Sequence, residues 1–153
     1  MKWQATEMDT YLKEKEYVDT ALIALIPISW QEQVKSTVAM GEFIGIISSE
    51  LERQFQGRVV LFPAFSYLKT EDVHSRTQRL LSWKRELELG GMQHVILLTS
   101  DGEWKTIESQ LESLLIWLPT VPLEHMDQVH KREVISEQIK QLVPILTNKW
   151  QYR

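Results

Sequence analysis

The chain has 153 residues, 43% of them apolar and 25% charged, with 17 basic against 21 acidic side chains and a net charge of −4. That is the composition of a globular protein of one-domain length, read here as a single domain over 1–153. It disfavours nucleic acid or an anionic membrane as the main partner, because both select a net basic surface. There is no cysteine, which removes disulfides, thiolate metal sites and cysteine nucleophiles together.

In chain order, the first residues (Met1-Lys2-Trp3-Gln4) lead into no apolar stretch, so no signal peptide is expected and residence in the cytoplasm follows. A short helix with Thr6 as its cap would turn Met8, Tyr11 and Leu12 inward. Thr20–Ile28 is a continuous apolar run, too short to span a membrane and of the kind expected for a strand covered on both faces. Three more such runs occur, at Arg58–Phe62, His94–Thr99 and Leu114–Leu118, and prolines close several of them where a missing ladder N–H is tolerated.

Between the runs the period becomes helical. Val34, Val38, Ile44, Ile47, Leu51 and Phe55 mark a helix from about Gln31 to Gln56, with Gly57 expected as its left-handed stop. Within it, Gly41 and Gly45 lie one turn apart, which predicts close packing against the sheet, with helix–helix pairing as the second option. Glu71–Leu89 forms the next helix, with Thr70 as its expected cap and Gly90-Gly91 as its end. Ser100 or Asp101 opens a shorter one that carries Trp104, Ile107 and Leu111. Gln128–Lys149 forms the last, with a kink expected at Pro144.

The alternation predicts an α/β three-layer sandwich: a mostly parallel four-stranded sheet, Rossmann-like or flavodoxin-like, with helices on both faces. In such a sheet ligands bind beyond the carboxyl ends of the strands. The loops there contain no G-x-G-x-x-G, no phosphate loop and no aspartate directly after the first strand, and no G-x-S-x-G occurs anywhere. The familiar cofactor cradles and nucleophile elbows are therefore excluded, and no cofactor is assigned.

The candidates on this edge are Trp30, Phe65, Ser66, Tyr67, Ser100 and Asp101. The aromatic ones could stack on a planar ligand or a partner, or could complete the core. Ser100-Asp101-Gly102 suits an anion at a helix start, or ordinary turn and cap chemistry. Asp72 with His74 could act as base and orienter or as cap and surface residue, and Lys69 could meet phosphate or solvent. Glu124, His125, Asp127 and His130 form a candidate metal cluster, since Asp127 and His130 share a helix face. The alternative is a set of acidic residues favouring a helix N-terminus.

Two functional readings follow: a non-enzymatic small-ligand-binding or accessory module, or a metal-assisted hydrolase or transferase using the 124–130 cluster. The partners in view are a small molecule, a protein or a second copy of the chain.

Lys2-Trp3, Tyr11-Leu12-Lys13-Glu14-Lys15-Glu16-Tyr17-Val18-Asp19-Thr20, Leu61-Phe62-Pro63-Ala64-Phe65-Ser66-Tyr67, Trp117-Leu118-Pro119 and Pro122-Leu123-Glu124-His125-Met126-Asp127 together resemble the YpiF-like family of uncharacterised proteins from Bacillus and its relatives. The resemblance implies a bacterial cytoplasmic protein and carries no catalytic residues with it.

Overall fold

The structure, a computed structural model, describes residues 1–151. Helix α1 (Ala5–Lys13) precedes strand β1 (Thr20–Ile28), followed by α2 (Val34–Gln54), β2 (Val59–Leu61), β3 (Phe65–Leu68), α3 (Val73–Leu89) and β4 (His94–Thr99). A 3-10 segment (Gly102–Ile107) then runs into the short α4 (Glu108–Leu111), and β5 (Leu114–Trp117) and α5 (Gln128–Gln151) close the described chain.

All strand pairings are parallel, in the order β2-β1-β4-β5, with β3 also paired to β1. The α/β sandwich expected from the apolar runs is therefore present, with five strands rather than four. The additional strand comes from the second run. Its ladder with β1 covers Thr20–Leu22 opposite Val59–Leu61, lapses around Pro63, and resumes with Leu25–Ile28 opposite Phe65–Leu68. Proline has no ladder N–H to give, so the strand divides there rather than ending. Phe65 and Tyr67 point inward while Ser66 and Leu68 point out, which is the alternation of a half-covered strand.

The strands separate two cores. On one face Ala21, Ile23, Leu25, Val95 and Leu97 pack beneath α1, α3 and the 3-10 segment, meeting Leu80, Leu87, Trp104 and Leu111. On the other, Leu22, Ala24, Ile96 and Leu98 meet Ile44, Ile47 and Leu51 of α2 and Ile135, Ile139, Leu142 and Leu146 of α5. Alternate residues of β1 and β4 thus serve opposite layers, and this is why these runs show no polar alternation. A β-carbon on Gly41 would lie 2.9 Å from Ile26 Cγ2, so the close helix–sheet approach is there; one on Gly45 would meet nothing within 4 Å.

Several boundaries move. α1 starts at Ala5 instead of being capped by Thr6, and Leu12 is exposed; Met8 and Tyr11 do pack on the core. α2 starts at Val34 and ends at Gln54, and the left-handed glycine is Gly91, not Gly57. Asp72, not Thr70, caps α3, accepting from Ser75 N at 2.8 Å. α5 continues through Pro144 to Gln151. Among the described residues no helix is long and apolar enough to cross a membrane.

Candidate functional site

After β1 the chain builds outward to β2 and β3, then crosses back to place β4 on the other side of β1. The strand order reverses between β1 and β4, so their carboxyl ends, together with that of β3, frame the place where an open parallel sheet takes ligands.

Asp101, two residues beyond β4, organises this edge. Its backbone N–H is held by Thr99 Oγ1 at 3.0 Å, and Thr99 Oγ1 donates in turn to Leu25 O of β1 at 3.3 Å. One carboxylate oxygen accepts from Glu103 N at 3.1 Å, starting the 3-10 segment. The other accepts from Tyr67 OH at 2.6 Å and from Lys69 Nζ at 3.1 Å. Trp104 Nε1 donates to Tyr67 OH at 2.8 Å, so the phenol passes a hydrogen bond from the indole to the carboxylate. Lys69 and Arg76 both reach Glu103 at 2.9 Å, and Arg76 also donates to the carbonyls of Lys69 and Glu71.

The electrostatics are balanced: two carboxylates face two cations. Burial pushes the Asp101 pKa up, but the donors from Tyr67, Glu103 N and Lys69 outweigh it and hold the group below the usual carboxylate range. Burial and the adjacent Asp101 charge push the Tyr67 phenol well above its ordinary value. At neutral pH Asp101 is thus a fully engaged anion and Tyr67 a neutral donor. Neither has the free lone pair or poised proton of a general base or nucleophile.

Beside this closed network lies an open cleft of about 670 Å³. Ile28, Trp30, Leu68 and the start of α2 form its walls, Gln31, Gln33, Ser36 and Thr70 supply neutral polar groups, and Glu32, Lys69 and Glu103 supply charged ones. Trp30 is 84% exposed, and Ile28 and Leu68 are also exposed. An indole left in water next to two aliphatic side chains is a ready stacking surface.

The sequence candidates are therefore divided. Trp30 lines the cleft; Tyr67 and Asp101 meet in the network beneath it. Phe65 does not reach the rim, because the inward register of β3 buries it against Trp83 and Trp104, with centroid separations of 5.2 and 6.2 Å. Ser66 faces outward, and its carbonyl accepts from Arg79. Ser100 is buried; its carbonyl accepts from Trp117 Nε1 at 3.1 Å, and its hydroxyl has no hydrogen-bond partner among the described residues. Lys69 is paired rather than solvated, and Asp72 is a cap.

At the start of α5, Glu124 pairs with Lys35 at 3.0 Å and approaches His125 Nε2 at 3.7 Å, while Asp127 accepts from His130 N at 2.7 Å as a helix cap. Among the described residues no three His, Asp or Glu side chains converge in a way that could hold a metal ion.

Glu103 and Arg76 were missed by sequence reasoning. The available signal was a charged pair, Lys69 and Arg76, whose backbone neighbours flank the start of α3. Only the fold shows that both meet one carboxylate from the next crossover.

Comparison with known proteins gives a family but no function. The family model described as "Protein of unknown function (DUF2487)" matches residues 9–150. The chain is 36% identical over 150 residues to the uncharacterized protein YpiF of Bacillus subtilis (strain 168), covering 98% of each chain. No solved structure matches. With the model matched from just inside α1 to nearly the end of α5, and a relative aligned along almost its whole length, the chain belongs to the DUF2487 family.

Proposed function

We propose that this protein is a non-enzymatic binding module whose ligand is a small planar molecule held in the cleft at the carboxyl edge, with one ring face on Trp30. The observation that carries this reading is the contrast within one edge. The aromatic surface is open, while Asp101, Glu103, Lys69 and Arg76 next to it are paired with one another. A catalytic edge would hold a buried titratable group in reserve; here Asp101 is committed to Tyr67, Lys69 and Glu103 N, and the charges fix the segments that follow β3 and β4. The ligand class that suits the lining is a heterocycle with polar substituents, read by the amides of Gln31 and Gln33 and the hydroxyls of Ser36 and Thr70, with Glu32, Lys69 and Glu103 as the charged groups in reach.

The test is a titration of isotopically labelled protein with adenosine, nicotinamide and riboflavin, following the tryptophan indole N–H resonances. A saturable shift of the Trp30 indole, lost in Trp30→Ala and unaccompanied by any change in the ligand, supports the module. Shifts that map away from the cleft, no shift with any of the three, or chemical turnover of a bound compound would each overturn it.

A further inference from the structure

A second concave surface lies away from the carboxyl edge, between the outer sides of α2 and α5. It encloses about 710 Å³ and follows α5 from Gln128 to Pro144, a length of about 24 Å or more than four helical turns. Its floor is apolar, built from Ile135, Ile139 and Val143, the outer margin of the stripe that α5 also turns to the sheet.

Its rim is basic. Arg53, Lys131, Arg132 and Lys140 line it against a single carboxylate, Glu50, in a chain whose net charge is −4. Arg53 is paired to Glu50 at 3.0 Å and Lys140 to Glu137 at 3.4 Å. Lys131 and Arg132 meet no carboxylate within 4.0 Å among the described residues. Basic side chains gathered on one groove of an acidic protein give it a sign opposite to that of the whole molecule.

We infer that this groove docks an acidic amphipathic helix of a partner protein. Two neighbouring helices with an apolar trough between them accept a third helix along its i, i+3, i+4, i+7 stripe. The unpaired cations at Lys131 and Arg132 select glutamates or aspartates flanking that stripe and repel a basic one. The surface is separate from the Trp30 cleft, so either assignment can fail without the other.

The experiment titrates the labelled full chain with a synthetic amphipathic peptide about 16 residues long, matching the groove length, with leucines on one face and glutamates beside them. A lysine-for-glutamate version and phosphatidylglycerol vesicles serve as competing probes. The expected result is saturable shifts of amides in Lys131–Lys140 and Glu50–Gln54 with the acidic peptide alone. Binding should weaken at least tenfold in K131E/R132E, and should also weaken on raising salt to about 0.5 M. An unchanged melting temperature and helical dichroism in K131E/R132E show that the loss is of charge and not of fold, since acidic residues suit the first turns of a helix. Equal binding by K131E/R132E, shifts mapping elsewhere, no binding of the acidic peptide, or engagement of these residues by the vesicles instead would overturn the inference.

Discussion

The two ends of the parallel sheet are built from similar parts and serve different ends. At the amino edge, Asp19 receives both guanidinium donors of Arg58, at 2.9 and 3.1 Å, and the hydroxyl of Thr20 at 2.9 Å. Trp150 closes over this cluster, donating to Thr20 Oγ1 and stacking its ring face on the Arg58 guanidinium, 4.2 Å from the ring centroid. At the carboxyl edge, Asp101 plays the part of Asp19 and Trp104 that of Trp150. There the tryptophan is buried under the network, and a second one, Trp30, stands outside it in water. The amino edge thus uses its aromatic residue as a cover. The carboxyl edge is sealed from below and leaves an aromatic residue over, which is the arrangement a binding surface needs.

The largest effect should come from removing the inner seal. Trp104 is fully buried, stacks edge-on against Tyr67 at 5.2 Å and supplies its hydrogen bond. Trp104→Ala should cost about 3–5 kcal/mol in urea unfolding. A loss under about 1 kcal/mol would mean that the carboxyl edge is held by something else.

Asp101→Asn comes next, at about 2–3 kcal/mol, because it leaves Lys69 and the Tyr67 hydroxyl facing a neutral amide. The two edges also differ in pH response. Burial opposes ionisation of Asp19, but Arg58 and Thr20 prevail, so Asp19 and Asp101 both titrate below their ordinary value in the folded state. Their contribution is complete above the unfolded carboxyl pKa, about 3.9, and is lost as the pH falls through the folded values. Tyr67, raised in the fold, adds stability that is complete below about pH 10 and is lost as the pH climbs beyond it. Asp101→Asn should therefore flatten the acid limb and reduce the alkaline one, where burial of Tyr67 remains the larger cause, whereas Asp19→Asn alters only the acid side. Identical alkaline limbs in the two variants would contradict this difference.

A smaller pair of effects separates the two glycines of α2. Gly41→Leu should cost about 1–3 kcal/mol, because Ile26 on β1 already occupies the space of a β-carbon. Gly45→Ala should stabilise by up to about 1 kcal/mol, since that site is open and the backbone is helical. Equal melting temperatures for the two variants would remove the close approach as a constraint.

Much of this architecture can be read from the chain. The uninterrupted apolar runs announced strands covered on both faces, and the spacing of Ile44, Ile47 and Leu51 identified the face of α2 that covers them. What escaped was local or relational. The alternation of Phe65, Ser66, Tyr67 and Leu68 is a strand signal four residues long, starting two residues after Pro63, where a break is the simpler expectation. The cap of α3 went to Asp72 because its carboxylate reaches Ser75 N, which Thr70 lies too far upstream to do. At the site, Asp101 and Tyr67 were visible as candidates. Their meeting was not, because residues 34 apart come together only through the register of β3 and β4 on either side of β1. The groove between α2 and α5 was equally hidden: Arg53 and Lys131 belong to different helices, and nothing in either segment alone shows that they border one trough.

The smallest expected effect on stability separates the edges most sharply. Trp30→Ala should change the unfolding free energy by no more than about 0.5 kcal/mol, because the side chain is 84% exposed and has little packing to lose. Trp150→Ala at the other edge, by contrast, removes a hydrogen bond to Thr20, an edge-on contact with Phe55 at 4.9 Å and the cover over Arg58. Its cost should be several times larger. If Trp30 instead proves as costly to remove as Trp150, it is a structural lid like its counterpart, and the carboxyl edge loses its open aromatic face. If Trp30→Ala leaves the melting curve in place and abolishes the indole shift produced by a planar ligand, the same side chain is dispensable for the fold and required for binding. That combination is expected of a residue kept in water for a ligand to cover.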